Sequence, residues 1–455
     1  MLKRFINLFS SEGSGAGSVI PRSKHAISNQ NISRNAIKVI ERLHQANYEA
    51  YLVGGGVRDL LLDGRPKDFD VATNATPEQV RKLFRSARIV GRRFRIVHVR
   101  YGREIIEVTT FRSHHNENEG KANESAQSAD GMLLRDNVYG DIQSDAERRD
   151  FTINALYYDP QSGDILDHTR GMQDIGNRLL RVIGDPETRF KEDPVRMLRA
   201  VRFAAKLGFS IDAKTAAPIQ PLAAMLDNIP SARLWDESLK LFMSGYATAI
   251  FHLLLEHNLF RHLFPGSAEQ IDNPTSMAFF EKAMINTDKR IRADKRVTPA
   301  FIFAVLLWPA IDKRRRELMS EGAQGMQAFH TAQQQVLQRQ INRIAIPKRF
   351  TSTMREIWDL QPALPRRAGK RAYRTLEHPR FRAAYDFLLL REEAGENHQG
   401  LGQWWTRFQS ADEATREEMI NGLQNQPQSR RRRSSSSRRG KSNSSSDSSS
   451  NPTSA

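Results

Sequence analysis

The residues best suited to do chemistry are Asp68-Phe69-Asp70. Residues two apart on a strand project to the same side. A strand over 67–73 would therefore present both carboxylates together while Phe69 and Val71 enter a core. Neighbouring carboxylates repel each other, which raises a pKa. A divalent cation relieves the repulsion, since Mg²⁺ takes one or two carboxylates and completes its shell with water and substrate phosphates. Alone, such a pair is equally a solvated strand edge.

Upstream, the apolar run 48–53 ends in Gly54-Gly55-Gly56, read as strand, turn and a helix starting near Val57. This arrangement exposes backbone N–H groups where phosphate binds. Arg58 adds charge-assisted bonds. Three glycines can also make only a tight turn, but a phosphate cradle and a carboxylate pair so close in sequence reinforce each other. The spacing is not that of a P-loop. Glu107 lies in the apolar strand 104–110 and is a candidate third acid, as metal ligand or as an exposed strand residue. Arg148-Arg149-Asp150-Phe151-Thr152-Ile153-Asn154 offers phosphate and ribose hydrogen bonds, or a helix start capped by Asp150. In the helical stretch 192–203, Asp193 suits the N-cap and Pro194 the first position. Arg196, Arg199 and Arg202 form one basic stripe, either a solvated face or a contact for nucleotide or RNA.

These residues need a scaffold. Helical periodicity covers 31–46, and Thr76-Pro77-Glu78-Gln79 reads as a capped helix start. Strands over 95–100 and 104–110 flank Tyr101-Gly102-Arg103 as a hairpin. Residues 10–30 read as a mobile leader, and 113–147, with its run His114 to Glu119, as a mobile loop. After Asp185 the pattern is helical throughout, over 193–207, 234–243, 248–259, 299–307, 326–344 and 381–393. The fold class is α+β: a small mixed sheet with helices, then an all-helical remainder.

The chain has 455 residues, 69 basic against 52 acidic, and a net charge of +17. It has no cysteine, which excludes disulfides, thiolate metal sites and a cysteine nucleophile. No apolar run reaches the ~18 residues of a membrane span, and 300–308 stops at Pro309. Residues 429–455 carry seven basic groups against Asp447, and 13 of these 27 residues are serine, a composition that cannot bury a core. Without that tail's +6 the remainder still carries +11, so the folded part itself suits a polyanion.

Four stretches occur in order: Leu52-Val53-Gly54-Gly55-Gly56-Val57-Arg58-Asp59, Asp68-Phe69-Asp70, Arg149-Asp150-Phe151-Thr152-Ile153-Asn154-Ala155 and Glu192-Asp193-Pro194-Val195-Arg196. Together they closely resemble the class II nucleotidyltransferases, the family of bacterial poly(A) polymerases and CCA-adding tRNA nucleotidyltransferases. Ile89-Val90-Gly91-Arg92-Arg93-Phe94 is similar to the poly(A) polymerase branch.

The resemblance implies a polymerase-β-like head over 31–183, a helical neck over 184–245 and a helical body over 246–425. These lie between a flexible leader, 1–30, and a disordered Arg/Ser tail, 426–455. It implies template-independent transfer of AMP from ATP to RNA 3′ ends with release of pyrophosphate, promoting RNA turnover in the cytoplasm. A CCA-adding enzyme is the nearer alternative and a non-catalytic RNA-binding module the farther one.

By the same resemblance Asp68 and Asp70 hold two Mg²⁺ ions. Asp150 is the third active-site acid, in competition with Glu107. Gly54, Gly55, Arg58, Arg149 and Asn154 contact triphosphate or sugar, and Asp193 and Arg196 read the base edge. The implied partners are ATP, RNA 3′ ends and RNA-degradation proteins. Basic residues near Phe5 and Phe9 offer a weak membrane contact.

Overall fold

The computed structural model describes residues 17–91, 95–113, 125–127, 133–136 and 138–424. Twelve strands occur along them: β1 (Ser18–Ile20), β2 (Ala50–Val53), β3 (Asp70–Thr73), β4 (Ala87–Val90), β5 (Ile96–Tyr101), β6 (Glu104–Thr110), β7 (Ser125–Gln127), β8 (Leu133–Asp136), β9 (Leu156–Tyr158), β10 (Ile165–Asp167), β11 (Leu179–Leu180) and β12 (Ser210–Ile211). Eight form one mixed sheet in the order β1-β10-β9-β2-β3-β6-β5-β4. The β3–β6 pairing is parallel and the other pairings in this sheet are antiparallel.

The helix Arg34–Gln45 packs on one face of the sheet. Ser33 caps it, its hydroxyl accepting from the Asn35 and Ala36 amides. Ala36, Val39, Ile40 and Leu43 recur at helical spacing, are buried, and meet Val71, Val99, Ile106 and Val108 of the sheet. The helix Pro77–Leu83 joins this layer through Val80, and Thr76 and Gln79 form the expected capping box. The opposite face carries a smaller core of Val53, Ala72, Phe111 and Tyr157 under Ala146.

The structure corrects several expectations. Part of the supposed leader is the edge strand β1: β-branched Val19 and Ile20 pair with Leu166 and Ile165, and Ile20 is buried. Within 113–147 lie β7, β8 and the helix Ile142–Arg148, which forms because Asp141 and Ser144 make a reciprocal cap and Ala146 is buried. The run His114 to Glu119 falls outside the described residues, as do Arg92 to Phe94, residues 1–16 and the Arg/Ser tail. β3 starts at Asp70, so Asp68 precedes the strand. The alternation survives, with Asp68 exposed, Phe69 and Val71 buried and Asp70 half-buried.

Beyond β11 the described chain is helical except for β12. The helices Val195–Leu207, Ser231–Phe242, Ala247–Glu256, Pro274–Arg292, Pro299–Ser320 and Gly325–Arg343 share one large core. Pro299–Ser320 continues through Pro309. A separate core of Leu364, Phe381, Leu388, Trp405 and Phe408 closes the C-terminal end. No helix among the described residues is long and apolar enough to cross a membrane.

Candidate functional site

Sheet register assembles the acids. Asp70, the first residue of β3, lies opposite Val53 on one side and Glu107 on the other. Glu107 in turn pairs with His98 of β5, whose Nε2 is 3.4 Å from Glu107 Oε1. Burial pushes the Asp70 carboxyl up to about 6. The Glu107 and Asp68 charges add to this and Arg149 opposes it. A half-buried carboxylate among like charges wants a cation.

Among the described residues no three His, Asp or Glu side chains converge tightly enough to hold a metal by themselves. Mg²⁺ commonly uses two carboxylates and leaves its other positions to water and phosphate. Asp70 has Glu107 beside it in register, and Asp68 lies two residues before it.

The glycine turn faces the same acid. Gly54 has φ +78°, a left-handed conformation that favours glycine, and a Cβ on it would stand 3.5 Å from Asp70 Oδ2 and 3.9 Å from Arg149 Nη1. The helix Gly55–Leu61 follows, starting earlier than Val57. Arg149 is held in place: its Nε and Nη2 donate to Asp145 Oδ2 at 3.1 and 2.9 Å, and Nε also donates to the Tyr157 hydroxyl at 3.0 Å. The Tyr157 hydroxyl donates to Asp145 at 2.6 Å. Arg149 thus presents its charge toward Asp70 from a fixed position.

Asp150 belongs to a different network. Its Oδ2 accepts from Arg199 Nε at 2.8 Å and Nη2 at 2.5 Å. Its Oδ1 accepts from the Phe151 amide and from Asn154 Nδ2 at 3.0 Å. Burial alone would raise this carboxyl, but the Arg199 guanidinium and these bonds override it and hold it at about 2. Asn154 Oδ1 accepts from Arg58 Nη1 at 2.6 Å, and Arg58 is 3 % exposed, its other nitrogens on Asp59. Arg58 here braces Asn154 instead of projecting toward open space. Asp150 thus accepts four hydrogen bonds, while sheet register sets Glu107 beside Asp70.

Asp193 ends the helix Pro186–Glu192, and Pro194 takes the N-cap position of Val195–Leu207, one residue later than expected. The Asp193 carboxylate accepts from Arg233 Nη1 and Nη2, at 2.8 and 2.7 Å. Arg196 Nη1 donates to Glu192 at 3.0 Å and to the Arg189 carbonyl at 2.7 Å. The basic stripe is no solvated face. The Phe203 ring has the guanidinium carbons of Arg202, Arg58 and Arg199 at 4.5, 5.0 and 5.3 Å from its centre.

Sequence reasoning overlooked His98, Asp145, Tyr157, Arg189 and Arg233. Tyr157 reads as a core strand residue. Asp145 lies in the supposed loop. Arg189, in the helix Pro186–Glu192, donates to the carbonyls of Arg148 and Arg149 some 40 residues earlier, a contact without local signature.

The chain is similar to known proteins over most of its length. Three family models match: "Poly A polymerase head domain" over residues 50–181, "Probable RNA and SrmB-binding site of polymerase A" over 208–271 and "Polymerase A arginine-rich C-terminus" over 321–439. The chain is 52 % identical over 419 residues to poly(A) polymerase I of Escherichia coli O6:H1, covering 90 % of both chains. It is 46 % identical over 413 residues to poly(A) polymerase I of Haemophilus influenzae, covering 89 % of this chain and 91 % of that one. Among solved structures, the Bacillus stearothermophilus CCA-adding enzyme in complex with CTP superposes with a TM-score of 0.53 at 26 % identity, over 86 % of this chain and 80 % of that one. The chain belongs to the poly(A) polymerase I family and is a polynucleotide adenylyltransferase.

Proposed function

We propose that Asp68, Asp70 and Glu107 form the acidic half of the site that transfers AMP from ATP to an RNA 3′ end, and that the arginine networks form its nucleotide-binding half. The observation that carries this reading is the Asp70–Glu107 register, with the Asp70 carboxyl held near 6 opposite the Gly54 turn. Two Mg²⁺ ions bound at Asp68 and Asp70 would lower the pKa of the primer 3′-hydroxyl and stabilise the departing pyrophosphate.

The chain's own share is positioning and charge. Gly54 and Gly55 leave room for phosphate against the backbone, and Arg149 faces the same space. Asp150 fixes Asn154, which Arg58 braces from behind, so the three set the sugar's orientation through one network. In this reading Asp150, the third acid of the resemblance, acts from the ribose side. Asp193 and Arg196 present an acceptor and a donor to the base edge. Arg233 and Glu192 hold these two side chains before ATP arrives, so little ordering remains to be done on binding. The domain plan of head 31–183, neck 184–245 and body 246–425 follows this division of labour. RNA is held by the basic helical part mainly through phosphates, in a cytoplasmic enzyme whose product is handed to RNA-degradation proteins.

Primer extension in Mg²⁺ with single nucleoside triphosphates tests the proposal. A long ladder with ATP alone is expected. Three additions requiring CTP would mean a CCA-adding enzyme. Full activity in a folded Asp70→Ala protein would overturn the acid assignment.

A further inference from the structure

Several surface arginines of the helical part are neutralised in place: Arg314 by Glu317, Arg315 and Arg316 by Asp312, Arg380 by Glu356, Arg382 by Asp386 and Arg391 by Glu396. The segment 365–376 gathers uncompensated charge in one short stretch. It carries Arg366, Arg367, Lys370, Arg371 and Arg374 and no acid. None of these five side chains forms an ion pair or hydrogen bond with a described residue. Arg366, Lys370, Arg371 and Arg374 are exposed.

Arg367 is half-buried. Its guanidinium lies 4.9 Å from the centre of the Trp404 ring, and its Nε is shut away from solvent with no partner. Burial lowers its pKa. Trp404 is itself stacked on Phe408 at 4.6 Å, and Trp405 is fully buried with its Nε1 donating to the Leu364 carbonyl at 3.1 Å. The C-terminal core therefore holds a partly desolvated cation rigidly at the edge of a one-sign patch. Folding does not demand this arrangement, because like charges without counterions cost free energy, and a buried charge is normally paired.

We propose that the 366–374 segment is a docking surface for the phosphodiester backbone of RNA, separate from the 208–271 stretch that the family description associates with RNA. The inference rests on the reading of the helical part as RNA-binding. It adds which surface does the work and the chemistry used: charge contacts with phosphates, blind to base sequence.

The test uses the full chain and a variant in which Arg366, Lys370, Arg371 and Arg374 are all replaced by Gln. Binding of labelled single-stranded oligoadenylate and of a mixed-sequence oligonucleotide of equal length is measured across a salt series. Thermal stability and ATP binding report that the fold and nucleotide site are intact. Both oligonucleotides are expected to bind about tenfold more weakly, and the salt slope to fall by about 2–3, as loss of four charge contacts to a single strand requires. Unchanged affinity and slope would overturn the proposal. So would a loss confined to oligoadenylate, or a variant that loses binding to phosphatidylserine vesicles while keeping RNA. If RNA binding falls as expected but no nucleotide is ever incorporated by the parent protein, the catalytic reading fails and this surface stands.

Discussion

Asp70 and Glu107 are register partners on the parallel strands β3 and β6, and the Glu107 charge is the largest electrostatic influence raising the Asp70 carboxyl. Asp150, by contrast, is bonded to Arg199 and Asn154. The two candidate third acids therefore make different predictions. Glu107→Gln removes negative charge from the metal side and should raise the Mg²⁺ concentration for half-maximal activity several-fold. Asp150→Asn should leave the Mg²⁺ titration in place and raise KM for ATP. A shifted Mg²⁺ titration in Asp150→Asn alone would return Asp150 to the metal site.

The Asp70 shift has a sign that stability can report. Its folded pKa of about 6 exceeds the ordinary 3.8, so the folded state binds more protons between those values. Stability contributed by this group falls as pH rises through that window, and the deficit is complete above it. Asp70→Asn should therefore stabilise the Mg²⁺-free protein by about 1–3 kcal/mol at neutral pH. The gain should fade on acidification through the window and vanish near its lower end. Thermal melts across pH check this, and activity should be lost throughout.

Gly54→Ala meets a backbone at φ +78° and places a Cβ 3.5 Å from Asp70 Oδ2. A backbone conformation that is almost exclusive to glycine should cost alanine about 1–3 kcal/mol in denaturant unfolding. Activity should fall further than stability explains, because the added methyl occupies the space between Asp70 and Arg149.

Arg233 is the residue that pins Asp193 from the helix Ser231–Phe242. Arg233→Ala should raise KM for ATP and narrow the preference for ATP over CTP, measured as the ratio of kcat/KM values. Arg233→Lys, which keeps the charge but loses the bidentate fork, should recover only part of that preference. An unchanged ratio in both variants would remove Arg233 from base selection.

Local features were legible without a structure wherever neighbours in the chain decide them. The Thr76 cap, the buried stripe of the helix Arg34–Gln45, the β5–β6 hairpin and the alternation across Asp68 to Val71 depend on residues a few positions apart. The ordered motifs were equally visible. The misreadings occurred where burial overrides composition. β1 looks like a polar leader until β10 pairs with it, and the helix Ile142–Arg148 sits in a polar stretch that the sheet's second face covers.

By itself the sequence determined the α+β plan, the basic character, the two acids at 68 and 70 and the glycine turn before them, because periodicity, charge and turn chemistry are local. Only the tertiary structure decided what those groups do to one another. Glu107 meets Asp70 through a parallel register, Arg199 reaches Asp150 across 49 positions, and Arg233 clasps Asp193 across 40. Such pairings follow from how strands align and helices pack. A carboxylate's environment is set by its neighbours in space, so only the packed chain could separate the acid pushed toward 6 from the one held near 2.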